Sequence, residues 1–160
     1  MEFVSKNLEE TSKISFDFSE QLNRRASSAT AAIVGLYGEL GSGKTTFMKY
    51  LSESFGIKET VQSPTFVIEK IYDLTPSPSP CEGEGRREKT FDKLIHIDAY
   101  RIEKEEEMLN LGWQKIISDP QNLICIEWPE RIVGIMPPHI KIFFEHIDEN
   151  SRKIKIENEK

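Results

Sequence analysis

Residues Ala31-Ala32-Ile33-Val34-Gly35-Leu36-Tyr37-Gly38-Glu39-Leu40-Gly41-Ser42-Gly43-Lys44-Thr45-Thr46 set the architecture of this 160-residue chain. The first seven form a short continuous apolar run, as in a strand buried on both faces of a parallel sheet. The run ends in a glycine-dense turn, and Gly38 to Thr45 match Gly-x-x-x-x-Gly-Lys-Ser/Thr in full. That pattern has a physical reason. A backbone wrapped closely around phosphate oxygens leaves no room for side chains, so glycine stands there. Its N–H groups converge on the anion, and the helix expected from Lys44 to about Phe55 adds its positive dipole end. The Lys44 ammonium suits the outer phosphates, and the Thr45 hydroxyl suits Mg2+. Strand before and helix after are the context the motif requires. We therefore take Gly38, Glu39, Leu40, Gly41, Ser42, Gly43, Lys44, Thr45 and Thr46 as the nucleotide-binding set, with Mg-ATP as the expected ligand.

The helix after the turn should place Phe47, Tyr50 and Leu51 inward and stop at Gly56. Upstream, Asn7 followed by Glu10 has capping-box spacing. Leu8, Ile14, Phe18 and Leu22 recur at roughly helical intervals, which predicts a first helix over 8–22. Downstream, Phe66 to Tyr72 is rich in strand formers. Leu74 to Thr90 then carries Pro76, Pro78, Pro80, Gly83 and Gly85 among Ser, Glu and Arg, and reads as a flexible insert at about 74–90 within one 1–160 domain. Leu94-Ile95-His96-Ile97 and Leu123-Ile124-Cys125-Ile126 are two more buried-strand candidates, and a helix is expected over 103–111. Past Pro137-Pro138, residues 140–144 and 153–156 alternate around Asp148-Glu149-Asn150-Ser151. They read as an antiparallel hairpin at the sheet's edge, with the last residues as the outer strand. The expected fold is α/β: a P-loop NTPase-like parallel sheet flanked by helices, with antiparallel edge strands.

Ligands of open α/β sheets sit at the carboxyl ends of strands, and two buried-strand candidates end in an acid. Asp98 is the candidate for the Mg2+ shell; a helix cap or surface acid is its plainer reading. Glu127 could orient the attacking water or serve the metal, or simply pair with Arg131. His96, two residues before Asp98, shares its strand face; it reads first as a hydrogen-bonded histidine and second as a group steering Asp98. Ser63-Pro64-Thr65 follows the P-loop helix where a hydroxyl can sense the terminal phosphate, or it is only a turn.

Composition excludes several classes. With 21 basic and 27 acidic residues the net charge is −6, which argues against coating nucleic acid by charge alone. No apolar run reaches the roughly 20 residues of a membrane span, and Met1-Glu-Phe-Val-Ser-Lys carries no secretory pattern. Cys81 and Cys125 make no disulfide framework and read as free thiols in a reducing compartment.

Four segments together resemble the TsaE family (formerly YjeE): 38–47, Ser63-Pro64-Thr65-Phe66, His96-Ile97-Asp98-Ala99-Tyr100-Arg101 and Ile126-Glu127-Trp128-Pro129-Glu130-Arg131. The P-loop is shared by many families; the other three in this order and spacing are far more specific. The resemblance covers nearly the whole chain. It implies a cytoplasmic protein that binds ATP or ADP and acts with TsaD and TsaB in making threonylcarbamoyladenosine at position 37 of tRNAs that read codons starting with A. It meets tRNA only through that complex. Its ATP hydrolysis would reset the complex, and the transfer chemistry would belong to the partners. The resemblance places Lys44 and Thr45 at phosphate and Mg2+, Thr65 in a switch, Asp98 at Mg2+, Glu127 in hydrolysis and Trp128 near the nucleotide. The stretch between Tyr72 and Phe91 is longer than the family pattern and bears on partner docking.

A small-molecule kinase is the rival enzyme class, but Arg86-Arg87 is the only lid-like arginine pair after the P-loop. A nucleotide-gated binder that does not hydrolyse is the rival outside enzymes; Glu127→Ala separates it from a hydrolase. A GTPase is disfavoured, since no Asn-Lys-x-Asp segment is present.

Overall fold

The computed structural model describes residues 1–24, 29–59, 68–74 and 91–158. In chain order the elements are β1 (Glu2–Ser5), α1 (Leu8–Asn23), β2 (Ala32–Tyr37), α2 (Lys44–Ser54), β3 (Glu69–Asp73), β4 (Lys93–Asp98), α3 (Glu105–Asn110), α4 (Trp113–Ser118), β5 (Asn122–Glu127), a 3-10 segment (Pro129–Ile135), β6 (Ile140–His146) and β7 (Arg152–Asn158). The seven strands form one sheet in the order β1-β7-β6-β2-β5-β4-β3. β6, β2, β5 and β4 are parallel neighbours. β3 flanks them antiparallel on one side, and β7 and then β1 on the other.

Strict alternation along the strands builds a core on each face of the sheet. On one face Val34, Leu36, Leu94, Leu123 and Cys125 pack with Phe18 and Leu22 of α1 and Phe47, Met48 and Leu51 of α2. On the other, Ile33, Ile95, Ile97, Ile124 and Ile126 pack with Met108 of α3, Trp113 of α4 and Ile132. All six residues of β5 are buried, as a strand with parallel neighbours on both sides and helices on both faces must be.

Helix α1 starts as its sequence indicates. Asn7 is extended and its side chain accepts from the Glu10 N–H at 2.9 Å, while the Glu10 carboxylate takes the Lys6 N–H at 2.7 Å. Of its expected inward residues, Phe18 and Leu22 are buried and Ile14 packs against the core, but Leu8 is not inward. Leu8 is exposed, and Thr11, Ser15, Phe18, Ser19 and Leu22 are buried. Small hydroxyl residues let α1 approach α2 closely, and Ser15 Oγ donates to the Phe47 carbonyl at 3.1 Å. In α2, Met48 takes the buried place expected for Tyr50, which is only half-buried.

Two expectations need correction, and a third is not reached by the described residues. The hairpin is not the outer margin: β6 lies against β2, and β7 is covered by β1, a strand not anticipated. The helix expected over 103–111 is shorter, and α4 follows it across Gly112 at φ 83°. The expected insert lies outside the described residues except Leu74, whose N–H donates to the Asp92 carbonyl at 2.8 Å as β3 meets β4.

Candidate functional site

The turn after β2 has the backbone its glycines allow. Gly38, Gly41 and Gly43 have φ of 144°, 76° and 106°. A Cβ on Gly38 would lie 2.5 Å from the Phe144 carbonyl oxygen and 2.8 Å from Ser42 Oγ. Gly43 stands at the N-cap of α2 with no side chain capping it. The first N–H groups of α2 are therefore left for another acceptor. Ser42 Oγ is buried without a partner among the described residues. An uncapped helix start, an orphaned hydroxyl and a turn with no room for a Cβ at Gly38 fit a phosphate cradle. Leu40, at 82% exposure, stands away from the core.

Lys44 is buried at 4% exposure and curls back over the turn, where Nζ donates to the carbonyls of Gly38 at 2.6 Å and Glu39 at 2.9 Å. The same ammonium lies 4.1 Å from the centre of the Trp128 ring. Burial lowers the Lys44 pKa, and nearby Glu127, Glu130, Asp98 and Glu39 oppose that shift.

The strand register explains why two acids distant in sequence reach this turn. Leu36 opposes Glu127, and Glu127 opposes Asp98, across the carboxyl ends of β2, β5 and β4. Both acids have the parity of Cys125 and Leu94, so they face the α2 side. Thr45 opens α2 there. Its hydroxyl lies 3.1 Å from Oε1 and 3.0 Å from Oε2 of Glu127 and donates to that carboxylate. Asp98 is buried, and its Oδ1 accepts from the Tyr100 N–H at 2.9 Å. His96 is fully buried, and its Nε2 lies 2.9 Å from Glu127 Oε1. The structure thus gives His96 to Glu127 rather than to Asp98, and gives Glu127 the partners Thr45 and His96 rather than Arg131. Among the described residues, no cluster of three or more His, Cys, Asp or Glu could hold a metal. A Mg2+ ion here would need the Thr45 hydroxyl, one or two carboxylates and phosphate oxygens, which is how Mg2+ is commonly held.

Past Glu127 the chain turns at Trp128, which is left-handed at φ 60°, and Pro129 opens the 3-10 segment. The Trp128 ring lies 5.0 Å from the Tyr100 ring, and the Arg131 guanidinium lies 5.8 Å from the same tyrosine. On the other flank of the turn, a cleft of about 660 Å3 is lined by Gly43 and Thr46 together with Asn7, Phe144, Asn150 and Arg152. Sequence reading missed this cleft, because its walls come from the α1 cap and the β6–β7 hairpin, and no spacing signal links them to the turn. Thr65 and the rest of Ser63-Pro64-Thr65-Phe66 lie outside the described residues. Cys125 is a free, buried thiol that burial and the Glu127 charge hold firmly in its neutral form; Cys81 lies outside the described residues.

A mixed sheet with a parallel centre, helices on both faces and a strand–glycine turn–helix unit in its middle defines a mixed α/β protein. The family model "Threonylcarbamoyl adenosine biosynthesis protein TsaE" matches residues 5–154, and the chain belongs to the TsaE family of tRNA threonylcarbamoyladenosine biosynthesis proteins. It is 36% identical over 129 residues to the TsaE protein of Rickettsia typhi, covering 79% of this chain and 78% of that protein. It is 29% identical over 157 residues to the Aquifex aeolicus TsaE protein, covering 97% and 94%. The solved structure of YdiB from Bacillus has the same fold, with a TM-score of 0.68 at 24% identity over 96% of this chain and 82% of that one. No helix among the described residues is long and apolar enough to cross a membrane.

Proposed function

We propose that this chain binds Mg-ATP at Gly38–Thr46 and hydrolyses it to drive the TsaD–TsaB complex through its cycle of tRNA modification. One observation carries the reading: the Thr45 hydroxyl and the buried Glu127 carboxylate are in hydrogen-bond contact, beside a buried lysine folded over the glycine turn. This grouping suits a phosphate cradle, with a hydroxyl and a carboxylate placed where a metal ion could be met. Mg2+, when bound through the Thr45 hydroxyl and the Asp98 carboxylate, would supply charge neutralisation for the phosphates, which leaves Glu127 for the water. The backbone N–H groups of Gly41, Ser42, Gly43 and Lys44 hold the β-phosphate region, and Lys44 leaves its two carbonyls for phosphate oxygens. Glu127 orients a water at the γ-phosphorus; as that P–O bond forms, the bond to ADP breaks, ADP keeps the electron pair and the water's proton is released. Trp128 covers Lys44, and the cleft beside Gly43 and Thr46 has room for the base and sugar. The protein works in the cytoplasm and meets tRNA through its partners. Thr65 belongs to the same reading as a switch hydroxyl.

The test is ATP binding and hydrolysis by the purified chain, alone and with the TsaB–TsaD pair and tRNA. Turnover alone should be slow and the pair should raise it, since P-loop sites are often completed by a partner. Lys44→Ala should remove productive nucleotide use. Unchanged ATP affinity and hydrolysis in that variant would refute the site.

A further inference from the structure

We propose that His96 is a positioning residue that holds the Glu127 carboxylate in place while the phosphate site is working. The inference rests on the hydrolysis reading above and assigns it a residue outside the phosphate-binding turn. His96 does not directly oppose Glu127 in the sheet: its register partner is Cys125, and that of Glu127 is Asp98. The imidazole therefore reaches diagonally across β4 and β5 on the α2 face, a span within reach of a long side chain. Both side chains are almost fully buried, at 0% and 3% exposure, so water does not compete for the contact.

The partners of Glu127 differ in kind. The Thr45 hydroxyl has one proton to give and lies within reach of both carboxylate oxygens, while His96 reaches Oε1 alone. Thr45 is also the hydroxyl the function above assigns to the metal. Once it turns to that task, His96 is the remaining described side chain holding Glu127. An ionised Glu127 accepts only, so a neutral His96 that bonds to it carries its proton on Nε2. Its Nδ1 is then an acceptor, and it is buried without a partner among the described residues. An orphaned buried nitrogen costs free energy, so an apolar side chain would suit the pocket better. What the imidazole contributes is its bond to Glu127. With Oε1 engaged by His96, Oε2 keeps acceptor capacity for a water.

Two measurements test this. In the first, ATP hydrolysis and ATP binding are measured with the TsaB–TsaD pair for wild type, Lys44→Ala, His96→Leu and His96→Gln. His96→Leu should lower kcat roughly 10- to 100-fold, the scale of a misplaced catalytic group. ATP affinity should stay within about threefold, because the interaction matters in the transition state and not in binding. His96→Gln, whose amide N–H reaches the place of Nε2–H, should recover most of the rate. Unchanged kcat in His96→Leu, equal losses in both variants, or a parallel loss of ATP affinity overturns the proposal. If wild type hydrolyses no faster than Lys44→Ala, the hydrolysis reading itself falls and takes this one with it. The second measurement needs neither a variant of His96 nor nucleotide: nitrogen-15 NMR of the wild-type imidazole should show the Nε2–H tautomer, with a resonance that moves in Glu127→Gln. An Nδ1–H tautomer, or a resonance indifferent to Glu127, overturns it.

Discussion

Gly38 shows how tightly the turn is specified. Its φ of 144° is a backbone that side-chain-bearing residues rarely adopt, and the Phe144 carbonyl oxygen lies only 2.5 Å from where a Cβ would stand. Gly38→Ala should lower stability by at least about 2 kcal/mol through backbone strain and the clash. It should also weaken nucleotide binding, since the Gly38 carbonyl that now receives Lys44 would shift. Thermal melting and ATP titration of the variant check both. Gly41, by contrast, has open space where a Cβ would stand. The motif made Gly38, Lys44 and Thr45 readable from the sequence, because phosphate chemistry dictates residue type at fixed spacing. Asp98 and Glu127 were readable because each ends an apolar run. The partner of His96 was not, since a diagonal contact depends on which strands are neighbours and in what register.

Among the elements, α1 carries the clearest local signal and a face only partly legible. The cap at Asn7 and Glu10 is visible in the residues and present in the structure. Asn7→Ala should cost about 1 kcal/mol, read as a lower denaturant midpoint. Asn7 also lines the cleft beside Gly43, so the variant should bind ATP more weakly if the base and sugar occupy that cleft. Apolar periodicity found Phe18 and Leu22 but not the rest of the buried face, because Thr11, Ser15 and Ser19 are polar by type yet packed inward. Their hydroxyls find acceptors locally or on α2, for example Ser19 on the Phe16 carbonyl at 2.7 Å. β1 and α4 were missed for a different reason. At four and six residues, they are too short for a periodic pattern to stand out.

For the molecule as a unit, the arrangement of strands matters more than their existence. Apolar runs suggested a parallel sheet, and the parallel set β6-β2-β5-β4 agrees. The pairing of β1 with β7 has no local signature, because it joins segments from opposite ends of the described chain. β1 covers a strand that would otherwise present unpaired N–H and C=O groups to solvent, a template for pairing with other molecules. Removing residues 1–5 should leave the central strands folded but promote self-association, read by light scattering and size-exclusion chromatography at rising concentration. A truncated chain that stays monomeric would show that β7 protects itself.

That same pairing also governs when the structure can be completed. A sheet whose outermost strand β1 waits for β7, far along the chain, cannot be finished until β7 has left the ribosome. Contacts of such long sequence separation form slowly, and domains assemble from the segments already synthesised. Maturation of this protein should therefore end with a late docking step in which the leading segment seals the far margin.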